Sequence, residues 1–308
     1  MKIIADKRFN STGNMLINYS VQQLQAYINW IYFFHAWGFQ PKFAEIAHLH
    51  GCDSCRAMWL AHFPEKDRAK ASEAMQLFKE TSRLLNEIQQ HFSIKAIFRL
   101  LQANSEGDDI HIAGLRIPFL RQQQKQKESQ PNLCLSDFIR PLSHQKADTI
   151  GVFATAVTCT VENVYAEDPY KNLLIQTLSS RLAEAAAEKM HEYVRKEAWG
   201  YAPDEQLSIP DLLAEKYQGI RPAVGYPSIP DQSINFLLDK LLDFNQIGIT
   251  ITENGAMKPH ASVSGFMFAH PASRYFHIGK IGHDQLNDYA LRRQMSVKRI
   301  KQFLTSNL

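Results

Sequence analysis

Tyr217–Pro230 reads YQGIRPAVGYPSIP and sets one arginine, two glycines, two tyrosines and three prolines within fourteen residues. Each proline removes a backbone donor and fixes φ, so the stretch forms neither a long helix nor a central strand. It is a rigid connection. One reading is a proline-rich surface link. The other is a loop that holds Arg221 where a planar carboxylate is gripped by two parallel hydrogen bonds. In that second reading Gly225 lets backbone approach a ligand closely and Tyr226 offers an aromatic face beside it.

Outward from this loop, helical and extended patterns mix without regular alternation. Upstream, Asp168–Glu197 is the clearest helix, with Leu173, Leu174, Leu178, Leu182, Ala185, Ala186, Met190, Tyr193 and Val194 on its apolar stripe. Such a helix spans roughly 45 Å and acts as a spine, and its alanine-rich middle permits close approach of a neighbour. Downstream, a helix over Ser233–Asp243 and a strand over Ile247–Thr252 are expected. Ala261–Phe268 and Tyr275–Ile281 follow as a hairpin around His270–Ser273, and helices over Asp284–Arg293 and Ser296–Leu304 close the chain.

Toward the N-terminus, Thr149–Thr160 is apolar on both sides and reads as a central strand. Ile94–Gln102 and Asp109–Phe119 read as strands around the turn Glu106-Gly107-Asp108. Helices are expected from about Lys66 to Phe92 and from a Ser20 cap through Trp37. The polar residues 1–18 are expected to form an arm, with one domain over 19–308. There is no internal repeat. The pattern predicts an α+β fold with mainly antiparallel pairing, not a doubly wound sheet.

Composition narrows the function classes. The chain has 308 residues, 45% of them apolar, enough to build a real core. Its 34 basic and 31 acidic side chains nearly balance, so nothing global calls for nucleic acid or another polyanion. The apolar run Ala26–Trp37 is too short and too aromatic for a membrane span and lacks a cleavage site. Four cysteines suit a reduced, cytoplasmic protein. No two glycines are separated by one residue, so no G-x-G-x-x-G fingerprint exists, and there is no Walker A loop, G-x-S-x-G elbow or H-E-x-x-H motif.

Two further constellations stay open on the residues alone. Cys52 and Cys55 form a C-x-x-C near His48 and His50, which suits a metal site, dithiol chemistry or plain packing at a helix start. Glu184 and Glu188 lie four apart on the long helix and face either solvent or a ligand cleft.

These segments resemble one family, the activation domain at the C-terminus of cobalamin-dependent methionine synthase. The resemblance is carried by Arg195–Tyr201 (RKEAWGY), Tyr217–Pro227 (YQGIRPAVGYP), Ala261–Tyr275 (ASVSGFMFAHPASRY) and Asp284–Ser296 (DQLNDYALRRQMS). Earlier matches at Tyr27–Trp37, Gly107–Ile110, Cys134–Phe138 and Lys146–Phe153 keep the family's order from near residue 20 to the end.

The resemblance implies a C-shaped α+β fold that binds S-adenosylmethionine without a Rossmann fingerprint. It implies a repair role, in which a sulfonium methyl and one electron from a flavodoxin-type donor return cob(II)alamin to methylcobalamin. By position, Arg221 is expected on the ligand's carboxylate. Ala223, Gly225 and Tyr226 line the ligand, Tyr275 and Phe276 stand where a Tyr-Tyr pair contacts it, and Glu184 lies near its charged end.

Three residues depart from the family pattern. Asn29 replaces an aspartate that holds the ligand's amino group, which lowers affinity by roughly 1 kcal/mol or more. Phe276 replaces a tyrosine and Gln232 a histidine, while the segment around Cys52 and Cys55 has no family counterpart. The homocysteine, folate and cobalamin modules are missing here. The expectation is therefore a split enzyme, in which this subunit docks on a separate cobalamin-carrying chain.

Overall fold

The computed structural model describes residues 6–9, 13–49, 52–124, 130–165 and 167–308. In chain order the elements are β1 (Asp6–Phe9), β2 (Met15–Tyr19), α1 (Val21–Leu24), α2 (Trp30–Ala36), α3 (Asp53–His62), α4 (Glu65–Ile88), β3 (Phe92–Glu106), β4 (Asp109–Ile112), β5 (Leu115–Pro118) and β6 (Asp148–Cys159). They continue with α5 (Pro169–Tyr193), α6 (Ile209–Leu213), α7 (Asn235–Leu242), β7 (Thr250–Ile251), β8 (Met257–Lys258), β9 (Ser262–Met267), α8 (His283–Arg292) and α9 (Val297–Phe303).

Among the described residues, seven strands make one antiparallel sheet. The long β3 pairs with β2 near its start and β4 near its end, while β6 runs along its other edge from Phe92 to Ala103 and pairs onward with β9. Strand periodicity sends alternate residues to opposite faces, and both faces are covered. Phe153 and Val157 of β6 join the core beneath α1, α2, α4 and α5, whereas Ile150, Val152, Ala154 and Ala156 join the core beneath α7, α8 and α9. This explains why the sequence of β6 is apolar on both sides. The architecture is α+β and antiparallel, as its pattern predicts.

The spine is α5, capped by the Asp168 carboxylate and opened by Pro169. Ala183, Ala186 and Ala187 are fully buried against the sheet, close enough for Thr155 Oγ1 of β6 to donate to the Ala183 carbonyl at 3.0 Å. Leu173, placed on the apolar stripe by periodicity, is half exposed instead. The last turn, Val194–Ala198, widens to a π-helix, the kind of irregularity that recurs at functional sites.

Several expectations are corrected. The supposed arm over 1–18 contains β2, whose Met15 and Ile17 are buried and which pairs with β3; residues 1–5 lie outside the described residues. The helix from Ser20 to Trp37 is broken. Ser20 caps only α1, and Asn29 leaves the helical region and caps α2 through Ile31 N. Asp109–Phe119 folds into the pair β4 and β5, and Ile247–Thr252 keeps only the two residues of β7. Tyr275–Ile281 is no strand. The β9 edge it would need is taken by the proline-rich loop, through bridges Ile220 to Phe268 and Ala223 to Gly265.

Candidate functional site

The loop Tyr217–Pro230 is held from several directions. Val224 N donates to Ser264 O at 2.8 Å and Phe266 N donates to Pro222 O at 3.1 Å, so it runs as an irregular extra edge beside β9. Gly225 turns the chain at φ +87°, a region open to glycine, and its N–H closes the turn on Ile229 O at 2.8 Å. Segment 275–281 is stitched to the loop's far side, with Ile278 N donating to Pro227 O and the Ser228 hydroxyl donating to Phe276 O. Tyr275 also grips the loop directly, its hydroxyl accepting from Arg221 N at 2.9 Å.

Between the loop, α5 and α2 lies a cleft of about 630 Å3, a volume that suits a small-molecule ligand. The break at Asn29 decides one wall, because it turns α2 so that Asn29, Tyr32 and His35 line the cleft. The opposite wall is α5, with Arg181, Glu184 and Glu188 one helical turn apart in succession. The loop contributes Arg221, Ala223 and Tyr226, and the stitched segment contributes Tyr275 and Phe276. Tyr226 and Tyr32 stay largely open to solvent, at 49% and 61% exposure.

The charges are arranged in pairs. Tyr226 donates its hydroxyl to Glu184. Deeper in, Arg221 Nη2 meets Glu188 Oε2 at 2.9 Å, both side chains about nine-tenths buried. Burial works against the Arg221 charge, but the Glu188 carboxylate, together with Tyr217, Tyr275 and Glu184, outweighs it and holds the guanidinium's pKa above its usual value. Even so, Arg221 Nε and Glu188 Oε1 have no hydrogen-bond partner among the described residues. A buried polar atom left this way costs about 1–3 kcal/mol, more when charged. Glu215 also lines the cleft, and burial, reinforced by Glu188 and opposed by Arg221, raises its pKa.

A second buried network supports the loop from behind. Arg195, 0% exposed, forms a bidentate pair with Glu205 at 2.7 and 2.8 Å, and its guanidinium packs 4.1 Å over the Tyr217 ring at the loop's start. Its third nitrogen donates to His191 Nδ1 at 2.9 Å. Arginine offers only donors, so His191 is the neutral Nε2–H tautomer and donates to the Tyr201 hydroxyl at 3.3 Å. Burial, with Arg195 and Arg221 adding to it, pushes the His191 pKa well below its ordinary value.

Of the residues singled out in the sequence, Asn29, Glu184, Arg221, Ala223, Tyr226, Tyr275 and Phe276 are brought together around this cleft. Gly225 is not among the lining residues; it shapes the turn and sits against Gln232. The sequence left Glu188 open and passed over Glu215 and His191. Glu188 and His191 share the helical spacing of Glu184, but only the packing of the loop on α5 shows that they face inward. Cys52 and Cys55 are placed elsewhere, bonded to each other at the start of α3. The bonded pair is one state of the dithiol option and leaves neither sulfur as a thiolate for a metal, and no cluster of three metal-ligating side chains occurs among the described residues. Cys134 and Cys159 are buried and take part in no disulfide.

Fold and cleft together define an α+β domain of non-Rossmann type, with a charged pocket between a spine helix and a proline-rich loop. The chain belongs to the family of vitamin B12-dependent methionine synthase activation domains, whose model matches residues 20–294. It is similar to a solved structure, the MetH reactivation domain bound to AdoHcy, at 34% identity and a TM-score of 0.82. That likeness covers 98% of this chain and 95% of the other.

Proposed function

We propose that the cleft binds S-adenosylmethionine and its demethylated product S-adenosylhomocysteine, with Arg221 taking the ligand's carboxylate. The observation that carries this is the buried Arg221, short of one partner at Nε in a cleft of about 630 Å3. The AdoHcy-bound relative at 34% identity supports it. Ala223 and Tyr226 line the ligand from the loop, and Tyr275 fixes Arg221 by holding its backbone. Phe276 supplies apolar surface, Asn29 closes the cleft from α2, and Gly225 acts through the turn.

When bound, S-adenosylmethionine supplies an electrophilic sulfonium methyl group. Together with one electron from a flavodoxin-type reductase, that methyl converts cob(II)alamin to methylcobalamin and leaves S-adenosylhomocysteine. The protein's own share is positioning, with no acid–base step. Arg221 orients the amino-acid end, Glu184 with Tyr226 presents negative charge at the open side of the cleft, and the loop excludes water beneath. The domain thus serves a methionine synthase whose cobalamin is carried by a partner chain, in a split arrangement. No helix among the described residues is long and apolar enough to cross a membrane, and we place the protein in the cytoplasm.

The test mixes the chain with a cobalamin-bearing methionine synthase chain, a one-electron reductant and methyl-labelled S-adenosylmethionine. Label should appear on cobalamin with the wild type and fall at least about tenfold with Arg221→Ala. No transfer by the wild type, or equal transfer by the variant, contradicts the proposal.

A further inference from the structure

The cleft carries more negative charge than a carboxylate-binding site requires. Glu184 is engaged by Tyr226, and Asn29 opposite is neutral and spends its side-chain oxygen on capping α2. The amino-acid head of the ligand carries ammonium and carboxylate on the same carbon, so the cation and anion that read it must be neighbours. Arg221 and Glu188 are such neighbours, 2.9 Å apart at the buried end of the cleft. Each keeps one charged-group atom without a partner among the described residues, Nε on the arginine and Oε1 on the glutamate. A bare ion pair that satisfied itself would not leave both short.

We propose that Glu188 receives the ligand's α-ammonium group while Arg221 takes the carboxylate, the pair exchanging part of its mutual contact for the zwitterion. This rests on reading the cleft as a site for S-adenosylmethionine and S-adenosylhomocysteine. In the free protein the two side chains neutralise each other, which keeps two buried charges tolerable until ligand arrives. The pair also makes the site selective. A ligand with a carboxylate but no ammonium leaves Glu188 buried without its cation, and sites built around such a group reject analogues that lack its partner.

The test is calorimetric titration of wild type, Glu188→Gln and Glu188→Asp with three ligands. These are S-adenosylhomocysteine, its analogue lacking only the amino group, and 5′-methylthioadenosine, which lacks the whole amino-acid head. Thermal melting and circular dichroism accompany each variant to confirm the fold. Wild type should prefer S-adenosylhomocysteine over the deaminated analogue by about tenfold or more. Glu188→Gln should weaken S-adenosylhomocysteine by about tenfold or more while leaving both analogues within about twofold, and Glu188→Asp should recover part of the loss. Equal losses for S-adenosylhomocysteine and the deaminated analogue mean that Glu188 acts only through Arg221, and overturn the assignment. Losses for all three, or for none, overturn it as well. If the wild type fails to saturate with S-adenosylhomocysteine, the reading of the cleft falls first and the Glu188 assignment with it.

Discussion

Adding one methyl group at Gly265 tests whether the proline-rich loop is positioned by β9. A Cβ there would lie 2.2 Å from Pro222 O, 2.9 Å from Ala223 Cα and 3.0 Å from Phe153 Cε1. Ordinary contact begins at 3.4 Å, so the Pro222 carbonyl must retreat by 3.4 − 2.2 = 1.2 Å. The obstacle is backbone, which cannot swing aside as a side-chain tip does. That retreat breaks the Phe266 N to Pro222 O bond and strains the Val224 N to Ser264 O bond. Two such bonds contribute about 1 kcal/mol each, and overpacking adds about 1–3 kcal/mol. Gly265→Ala is therefore expected to lose about 3 kcal/mol or more in urea unfolding. Because Arg221 precedes Pro222, a shift of this size also moves the guanidinium, and S-adenosylhomocysteine affinity should fall by about tenfold or more. Unfolding by urea and calorimetric titration read the two effects separately. A variant within about 0.5 kcal/mol of wild type in stability, and within about twofold in affinity, would mean that β9 does not position the loop.

The network behind the loop yields two more predictions. Arg195→Met leaves Glu205 buried without its cation and should cost about 3–5 kcal/mol in urea unfolding, with part of the loss regained in Arg195→Met/Glu205→Met; a single variant as stable as wild type contradicts the assignment. His191 is held neutral by burial and by Arg195 and Arg221, with the Tyr201 hydroxyl and Tyr217 ring completing its surroundings. Its folded pKa is depressed, so below about pH 6.5 the unfolded chain takes up a proton that the folded chain refuses. This stabilising contribution is complete above that pH. It is lost at up to about 1.4 kcal/mol per pH unit as the pH falls toward the folded value. His191→Gln should flatten the slope by one proton; an unchanged slope assigns it elsewhere.

The fold was legible where one periodicity dominates a long segment. The both-faced apolar run of β6 and the stripe of α5 are examples, because each packs against elements that reinforce its local preference. Legibility failed where a neighbour decided the outcome. Tyr275–Ile281 alternates as a strand should, but the β9 edge is occupied by the loop, and the segment is tied to Ser228 and Pro227 instead. Ser20 to Trp37 is helical in pattern, and the break that places Asn29 in the cleft has no proline or glycine to announce it. In the site, the loop's prolines and arginine were a readable signal. The identity of its acidic partner was not, because Glu184 and Glu188 share one helical spacing. Only the seating of the loop sends Tyr226 to the first and Arg221 to the second. The bond between Cys52 and Cys55 was equally hidden, since C-x-x-C spacing suits free, bridged and metal-bound sulfur alike.

We propose that Arg221 anchors S-adenosylmethionine in this cleft. Calorimetric titration of wild type and Arg221→Ala with S-adenosylhomocysteine tests it most directly. The wild type should bind saturably and one to one. The variant should lose about a hundredfold in affinity, which corresponds to about 2.8 kcal/mol for a charge-assisted, bidentate contact removed from a buried site. Equal affinities, or a wild type that does not saturate at millimolar ligand, would contradict it.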